Sequence, residues 1–188
     1  MNYEFYSNTT KCENDWQSTI NQKENEDRYI VSKALPLMLN EGATDITYQQ
    51  TPINCRIDAK CSCVYHGLEY KFNVEIKNYT HTHTANDGTR DCIHLKQTKL
   101  NAMYRESEDV NAVLFAAIFN HKIYWFNCKK IDWNNVYGEW KRQKVQQYNP
   151  NSEWRSYYTY SLPLSMAYRV VPCGEYEIEW QNGGIYQI

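Results

Sequence analysis

Residues 70–78 alternate between apolar and polar side chains. The apolar set is Phe72, Val74 and Ile76, and the polar set is Asn73, Glu75 and Lys77. Because successive side chains of a strand point to opposite faces, this period of two predicts a strand with one packed face and one charged face. Residues 57–65 are also rich in β-forming types, and the Gly-containing segment 66–69 predicts a turn between the two strands. The pattern therefore predicts an antiparallel hairpin.

The hairpin decides which residues face each other across the two strands. With the turn closing between residues 66 and 69, Asp58 falls opposite residues 75–77, allowing for one or two positions of slip. Asp58 is thus expected beside Glu75 and Lys77. Two carboxylates a few Å apart repel each other unless a cation lies between them, and hard oxygen ligands suit Mg²⁺ or Mn²⁺. The alternative interpretation is a cross-strand salt bridge on a solvated sheet face.

Helices and further strands are predicted around the hairpin. An amphipathic pattern over residues 16–39 predicts a first helix, and Pro36 within it can kink it. Residues 91–105 are predicted to form a second helix. Its candidate core side chains are Ile93, Leu95, Leu100, Met103 and Tyr104. The nearly continuous apolar run at 110–119 predicts a strand covered on both faces, followed by another strand at 123–127.

An aspartate on one strand followed by Glu75-Ile76-Lys77 on the next resembles the signature of the PD-(D/E)XK nuclease superfamily. The residue before Asp58 is Ile57, where the motif has proline. The resemblance implies an α/β fold (an α+β mixed sheet), with a restriction endonuclease-like core of helix, three-strand meander, helix and further strand. It also implies a metal ion held by Asp58, Glu75 and the Ile76 carbonyl, with Lys77 positioning the attacking water.

The resemblance suggests further site residues. Family members often carry an acidic residue on the first helix, and Glu26 is the candidate here, ahead of Glu24 and Asp27. A Gln or Lys on the second helix often faces the active site, which makes Gln97 the candidate and Lys96 or Lys99 its substitutes in binding substrate.

Two histidines in the predicted loop 78–90 are secondary candidates, because this loop directly follows the Glu-x-Lys strand. His81 or His83 could contact substrate or shuttle a proton near neutral pH. The alternative is that both are solvent-exposed loop residues.

The chain of 188 residues contains no Pro-, Gly- or Ser-rich linker. We therefore predict a single nuclease-like domain over residues 1–188, with a core at about 16–128 and a C-terminal extension at about 129–188. The first fifteen residues are polar and lack the apolar region of a signal peptide, and no apolar run is long enough to span a membrane. The expectation is a soluble, cytoplasmic protein.

Seven cysteines, an odd number without a disulfide-framework spacing, predict reduced thiols. The alternative is a zinc site, since Cys and His are its usual ligands. The candidate ligands are Cys61, Cys63, His81, His83, Cys92 and His94. Against zinc, Cys61 and Cys63 lack the two-residue spacing of the usual zinc knuckle.

The formal net charge of −2 argues against a protein that coats nucleic acid by charge alone. Basic and aromatic residues nevertheless interleave in the C-terminal extension, where they could bind phosphates and stack on unpaired bases. They are Lys129, Lys130, Lys141, Arg142 and Lys144, with Trp133, Trp140, Trp154, Tyr157, Tyr158 and Tyr160. The alternative is that the aromatic residues pack a peripheral subdomain. Residues 175–180 are predicted to form a strand.

The sequence thus predicts a Mg²⁺-dependent nuclease, with Mn²⁺ as an alternative metal and DNA as the expected substrate. A homodimer would favour double-strand cutting. The competing hypothesis is a catalytically silent nucleic-acid-binding or protein-interaction module on the same fold. A third is a zinc-stabilised binding protein.

Overall fold

The computed structural model describes residues 2–4, 15–52, 55–144, 153–174 and 185–187. The described part is a mixed α/β protein with two α-helices and eleven strands. The helices are α1, Asp15–Met38, and α2, Gln97–Arg105. The strands are β1, Asn2–Glu4; β2, Thr44–Gln50; β3, Ala59–Tyr65; β4, Leu68–Asn78; β5, Cys92–Lys96; β6, Ala112–Phe119; β7, Lys122–Asn127; β8, Gly138–Lys144; β9, Trp154–Pro163; β10, Arg169–Pro172; and β11, Ile185–Gln187. No helix in these ranges is long and apolar enough to cross a membrane.

A six-stranded sheet with the order β10-β7-β6-β4-β3-β2 forms the centre of the molecule. Strands β2, β3 and β4 form an antiparallel meander, and β6 then pairs with β4 in parallel. A parallel pair needs a crossover connection, which here runs through β5 and α2. The predicted mixed α/β class is therefore confirmed.

Apolar side chains cover both faces of this sheet. On one face, Val31 and Leu35 of α1 belong to a cluster with Val74, Ile76 and Trp125. On the other face, a second cluster joins side chains of β5, α2 and β9 to those of β6. Its members include Ile93, Leu95, Leu100, Met103, Val113, Phe115 and Leu162. Because apolar side chains cover both faces of β6, its sequence is nearly continuous in apolar residues. A strand covered on both faces was predicted from this run.

The covered second face corrects one expectation about β4. Its polar side chains were predicted to lie on a charged face opposite the packed one, but Asn73 and Glu75 are buried. Glu75 pairs with Phe115 of β6, so the two side chains share a face. Of the three residues Asn73, Glu75 and Lys77, only Lys77, near the end of the strand, is exposed. A carboxylate is thus held within a largely apolar layer.

The predicted β3–β4 hairpin is present, with a tighter turn than expected. Tyr65 pairs with Leu68, which leaves only His66 and Gly67 in the turn. Both have positive φ angles, 52° and 76°, as the type I′ turn of a two-residue hairpin requires. Ala59 pairs with Val74, and this register sets the position of the preceding residue, Asp58.

The predicted second helix at residues 91–105 is wrong in its first half. Residues Cys92–Lys96 form β5, and the helix begins only at Gln97. Strand β5 pairs with β9, which in turn pairs with β8, to form a three-stranded sheet. Ile93 and Leu95 are buried, as predicted, but as alternate residues of a strand.

The C-terminal extension contributes strands to the central sheet and to the three-stranded sheet, and its β11 pairs with β1 in a separate two-stranded sheet. Strand β9 completes the three-stranded sheet and β10 pairs with β7 at the edge of the central sheet. Residues Cys128–Lys130 and Trp133–Asn135 form short 3₁₀ turns. The strand predicted at residues 175–180 lies outside the described residues.

Candidate active site

Asp58 lies immediately before β3, beside Glu75, within the range predicted from the hairpin. Its main-chain N–H donates to the Val74 carbonyl at 2.9 Å, which continues the pairing of β3 with β4. Its side-chain Oδ2 accepts a hydrogen bond from the Ile76 N–H at 2.7 Å. The carboxylate is therefore fixed against the edge of β4.

Arg28 of α1 holds the other oxygen of the same carboxylate. Its Nη2 lies 2.6 Å from Asp58 Oδ1, and its Nη1 donates to the Thr51 carbonyl at 2.8 Å. The Arg28 side chain is only 3% exposed, so this is a buried ion pair. Sequence reasoning missed Arg28. A signal did exist, because Arg28 stands at helical spacing from the buried Val31 and Leu35, where a charge needs a partner.

Glu75 is the second carboxylate, and it is 6% exposed. Its Oε1 lies 2.7 Å from the Nζ of Lys99, which α2 supplies. Its Oε2 is buried and accepts no hydrogen bond within the described structure. Burial first, and then the negative charge of Asp58, raise the pKa of Glu75 to about 8. Glu75 therefore keeps its proton at neutral pH when no cation is bound.

The two carboxyl groups can interact favourably only through a proton or a cation. An ionised carboxylate is solely a hydrogen-bond acceptor, so Asp58 offers nothing to the buried Glu75 Oε2. A proton on Glu75 can be donated to Asp58, and this contact contributes to the raised pKa of Glu75. A divalent cation would replace that proton and satisfy the same oxygen.

The donor set fits a hard cation that keeps several water ligands. Within the described ranges no group of three or more His, Cys, Asp or Glu side chains converges as a metal site. Mg²⁺ is commonly bound by one or two carboxylates, with waters and substrate phosphates completing the shell. The Ile76 carbonyl points to the same strand edge as the Ile76 N–H, which contacts Asp58. Asp58, Glu75 and this carbonyl, the predicted ligands, suit Mg²⁺ or Mn²⁺.

An open cavity of about 680 Å³ borders the two carboxyl groups. Three lysines, Lys77, Lys96 and Lys99, are among its lining side chains. The pKa of Lys96 is lowered by burial and then by the charge of Lys77, so the two ammonium groups lie near each other. Cations around paired carboxylates suit a ligand that carries negative charge, such as a phosphodiester.

Two other predicted site residues do not line this cavity. Gln97 points its Nε2 toward the Tyr160 hydroxyl, at 3.5 Å, because α2 starts at Gln97 and turns residues 98, 99 and 102 toward the cavity. Glu26 accepts a hydrogen bond from Gln22 at 3.0 Å. The helical repeat places residues 24, 27 and 28 on the cavity side instead.

The loop histidines lie beside the cavity rather than in its wall. His83 Nε2 lies 3.0 Å from the Ser161 hydroxyl, and its ring lies 3.7 Å from that of His94. His81 is exposed. His94 does line the cavity and was not predicted as a catalytic candidate. Burial lowers the pKa of His94 to about 4, so its neutral ring accepts a hydrogen bond from Lys141 Nζ at 2.8 Å.

Among the described residues, the candidate zinc ligands do not converge as a metal site. Cys61 and Cys63 are buried in the cluster on the α1 side of the sheet. Cys92 directs its thiol toward the carbonyls of Thr89 and Arg90.

The candidate site therefore consists of Asp58 and Glu75, the cations Arg28 and Lys99 that pair with them, and Lys77 and Lys96 at the cavity wall. Comparison of the chain with protein-family models, with curated proteins and with solved structures finds no match.

Proposed function

We propose that this protein is a metal-dependent nuclease of the PD-(D/E)XK type, which hydrolyses phosphodiester bonds, with DNA as its substrate. One observation carries the proposal: Asp58 and the buried, incompletely paired Glu75 lie side by side at an open cavity lined by lysines. The order α1, meander, α2 and the parallel strand β6 also agrees with a restriction endonuclease-like core.

Asp58, Glu75 and the Ile76 carbonyl would hold Mg²⁺ or Mn²⁺. Bound there, the cation would polarise a phosphate and lower the pKa of a bound water. Lys77 follows Glu75 by two positions on β4, so both side chains lie on the same face, and Lys77 can orient the attacking water. Lys96 and Lys99 take the phosphate-positioning role predicted for Gln97, because they line the cavity.

The test is cleavage of labelled single-stranded, duplex and branched DNA and of RNA, with Mg²⁺, with Mn²⁺ and with EDTA. We expect metal-dependent cutting by the wild type and at least a 100-fold loss in Lys77→Ala, a typical effect of removing one charge-stabilising group. Lys71→Ala is the matched control, because Lys71 is an exposed lysine of the same strand, outside the cavity and paired with Glu69. Equal rates in Lys77→Ala and Lys71→Ala would overturn the proposed role of Lys77.

A second candidate function has one specific observation in its favour. Both carboxylates already have cationic partners, Arg28 at Asp58 and Lys99 at Glu75. Such pairing could neutralise the site without metal, as in a silent nucleic-acid-binding or protein-interaction module. The two functions differ in their response to Mg²⁺, since a working carboxylate pair binds the ion and is stabilised by it, with a higher melting temperature. Asp58→Ala abolishes that response if the ion binds where we propose.

A further inference from the structure

The tryptophans with described side chains, Trp125, Trp133, Trp140 and Trp154, divide into two groups by exposure. Trp125 is fully buried and Trp133 packs against the cluster on the α2 side of the sheet. Trp140 is 71% exposed and Trp154 is 56% exposed. Large aromatic side chains are normally buried or placed at interfaces, because their apolar area is costly to leave in water. Both exposed tryptophans lie on the β8–β9 pair of strands.

The β8–β9 pair extends beyond the body of the three-stranded sheet. Strand β5 pairs with β9 only from Thr159 to Pro163, so residues 154–158 of β9 pair with β8 alone. We call this two-stranded part, residues 140–144 with 154–158, the ribbon. Five residues of strand correspond to roughly 16 Å of length. Residues 145–152, which connect the two strands, lie outside the described residues.

One face of the ribbon combines its aromatic rings with positive charge. Lys144 pairs with Trp154, Arg142 with Ser156 and Trp140 with Tyr158. Side chains of paired residues share a face, so two tryptophans and two cations lie together. Arg142 and Lys144 approach the Trp154 ring at 5.8 and 5.7 Å, near the outer limit of a cation–π contact. Trp154 nevertheless remains 56% exposed.

The ribbon borders the candidate active site through Tyr157 and Gln143. Tyr157 lines the cavity, and its ring lies 4.5 Å from the Nζ of Lys96, another cavity residue. Lys96 also donates to Gln143 of β8 at 2.9 Å. Because successive side chains of a strand alternate between faces, Tyr157 and Gln143 lie on the face opposite Trp140 and Trp154, so the cavity adjoins the other face of the ribbon.

We propose that the ribbon binds single-stranded nucleic acid, with unpaired bases stacked on Trp140 and Trp154 and phosphates held by Arg142 and Lys144. Exposed rings bind base faces, which a duplex covers by its own stacking. The net charge of −2 makes binding by charge alone weak, so stacking must contribute. Delivery of the strand to the cavity rests on the proposed nuclease function, whereas the binding does not.

The test measures binding separately from cleavage. Fluorescence anisotropy in EDTA reports the affinity of the full chain for a labelled oligo-dT, an oligo-U and a duplex of equal length. We expect single strands to bind more tightly than duplex, and Trp140→Ala and Trp154→Ala each to weaken that binding about tenfold, in line with the stacking of one base. The relative affinity for oligo-dT and oligo-U assigns the bound strand to DNA or RNA.

Control variants separate stacking from loss of structure. Leu68→Ala removes a similarly exposed apolar side chain from the start of β4 and leaves binding unchanged. Trp154→Phe keeps an aromatic face and retains most of the affinity. The proposal would be overturned if duplex bound more tightly than single strands, or if both Trp→Ala variants bound as well as the wild type. It would also be overturned if the wild type bound no oligonucleotide at all, which would assign the ribbon to another class of partner. A wild type that binds single strands but never cuts them refutes the nuclease and leaves this inference standing.

Discussion

On the α1 side, β4 presents Phe72, Val74 and Ile76 to an apolar cluster, and on the α2 side it presents Asn73, Glu75 and Lys77. Asn73 and Glu75 are nevertheless about as buried as their apolar neighbours. The two faces of β4 are therefore about equally buried in the middle of the strand, and they differ only in whether the buried side chains are apolar or polar.

The two buried polar residues differ from each other in how well they are paired. The Asn73 amide donates to the Glu106 carbonyl at 2.7 Å and contacts the Ser107 hydroxyl at 2.8 Å, so it secures the end of α2. Glu75 leaves one buried oxygen without a hydrogen bond. A satisfied buried group serves the fold, whereas an unsatisfied one destabilises it and indicates a role in chemistry.

Removing the largest apolar side chain of β4 should have the largest effect on stability. Phe72→Ala leaves a cavity in the cluster on the α1 side, and we expect a loss of about 3–5 kcal/mol in the free energy of unfolding. Urea denaturation measures it. Leu68→Ala, on the same face but exposed, should change stability by less than about 0.5 kcal/mol. Equal effects of the two variants would show that this face is not the packed one.

Arg28 links the two sides of the sheet, because it extends from α1 on the apolar side and pairs with Asp58 at the candidate site. Arg28→Met keeps the apolar stem but leaves Asp58 without its cation and Thr51 without its donor. We expect a loss of about 3 kcal/mol, the lower end for a broken buried pair, since Asp58 is partly exposed. Lys23→Met, an exposed change on the same helix, is the control. If Asp58→Asn in the Arg28→Met background restores no stability, the pair is not coupled.

Glu75→Gln should stabilise the protein, by an amount that depends on pH. The folded protein keeps the Glu75 proton until about pH 8, whereas the unfolded chain releases it near the ordinary pKa of 4.5. The folded state then binds more protons, so wild-type stability falls as pH rises from about 4.5 to 8. Glutamine has no such proton, and we expect an advantage of a few kcal/mol at pH 8, with about 4 kcal/mol as the upper limit that this difference in pKa sets.

Urea denaturation in EDTA at pH 5, 6.5 and 8 measures this difference, and the other titrations cancel between the two proteins. The advantage of Glu75→Gln should grow across this range and level off above it. A constant difference would mean that the raised pKa of Glu75 does not contribute to stability.

The hairpin and the carboxylate pair could be predicted because their determinants are local. The alternation at 70–78 and the short distance along the chain from Asp58 to Glu75 fix the register almost by themselves. The helix predicted over 91–105 failed for the opposite reason. Strand β5 exists because it pairs with β9, whose nearest partner residue is more than sixty positions away in the sequence. No local pattern reports such a pairing.

The covered face and the contact of Lys99 with Glu75 could not be predicted either. Glu75 is buried because the later elements β5 and β9, with α2, pack over β4 and β6. Lys99 reaches Glu75 only because α2 starts six residues later than expected, which turns Lys99 rather than Gln97 toward the site. Long-range packing thus decided which charged groups meet the two carboxylates.

Lys99→Met should have the smallest effect, and it tests whether the Lys99 ammonium group occupies the position that a metal ion would take beside Glu75. Lys99 contacts Glu75 at 2.7 Å, so its positive charge would repel a metal ion bound at that carboxylate. Removing the charge should tighten Mg²⁺ binding about fivefold, the Coulomb effect of a partly solvated charge at this range. Calorimetry should be done at pH 9 or above, because Lys99 also lowers the pKa of Glu75 and its loss lets a proton compete with the metal. Lys71→Met is the control. Weaker Mg²⁺ binding in Lys99→Met would mean that Lys99 assists metal binding at the site. If neither the wild type nor Lys99→Met binds Mg²⁺ and the substitution only lowers stability, the silent module is favoured, because there Lys99 pairs permanently with Glu75.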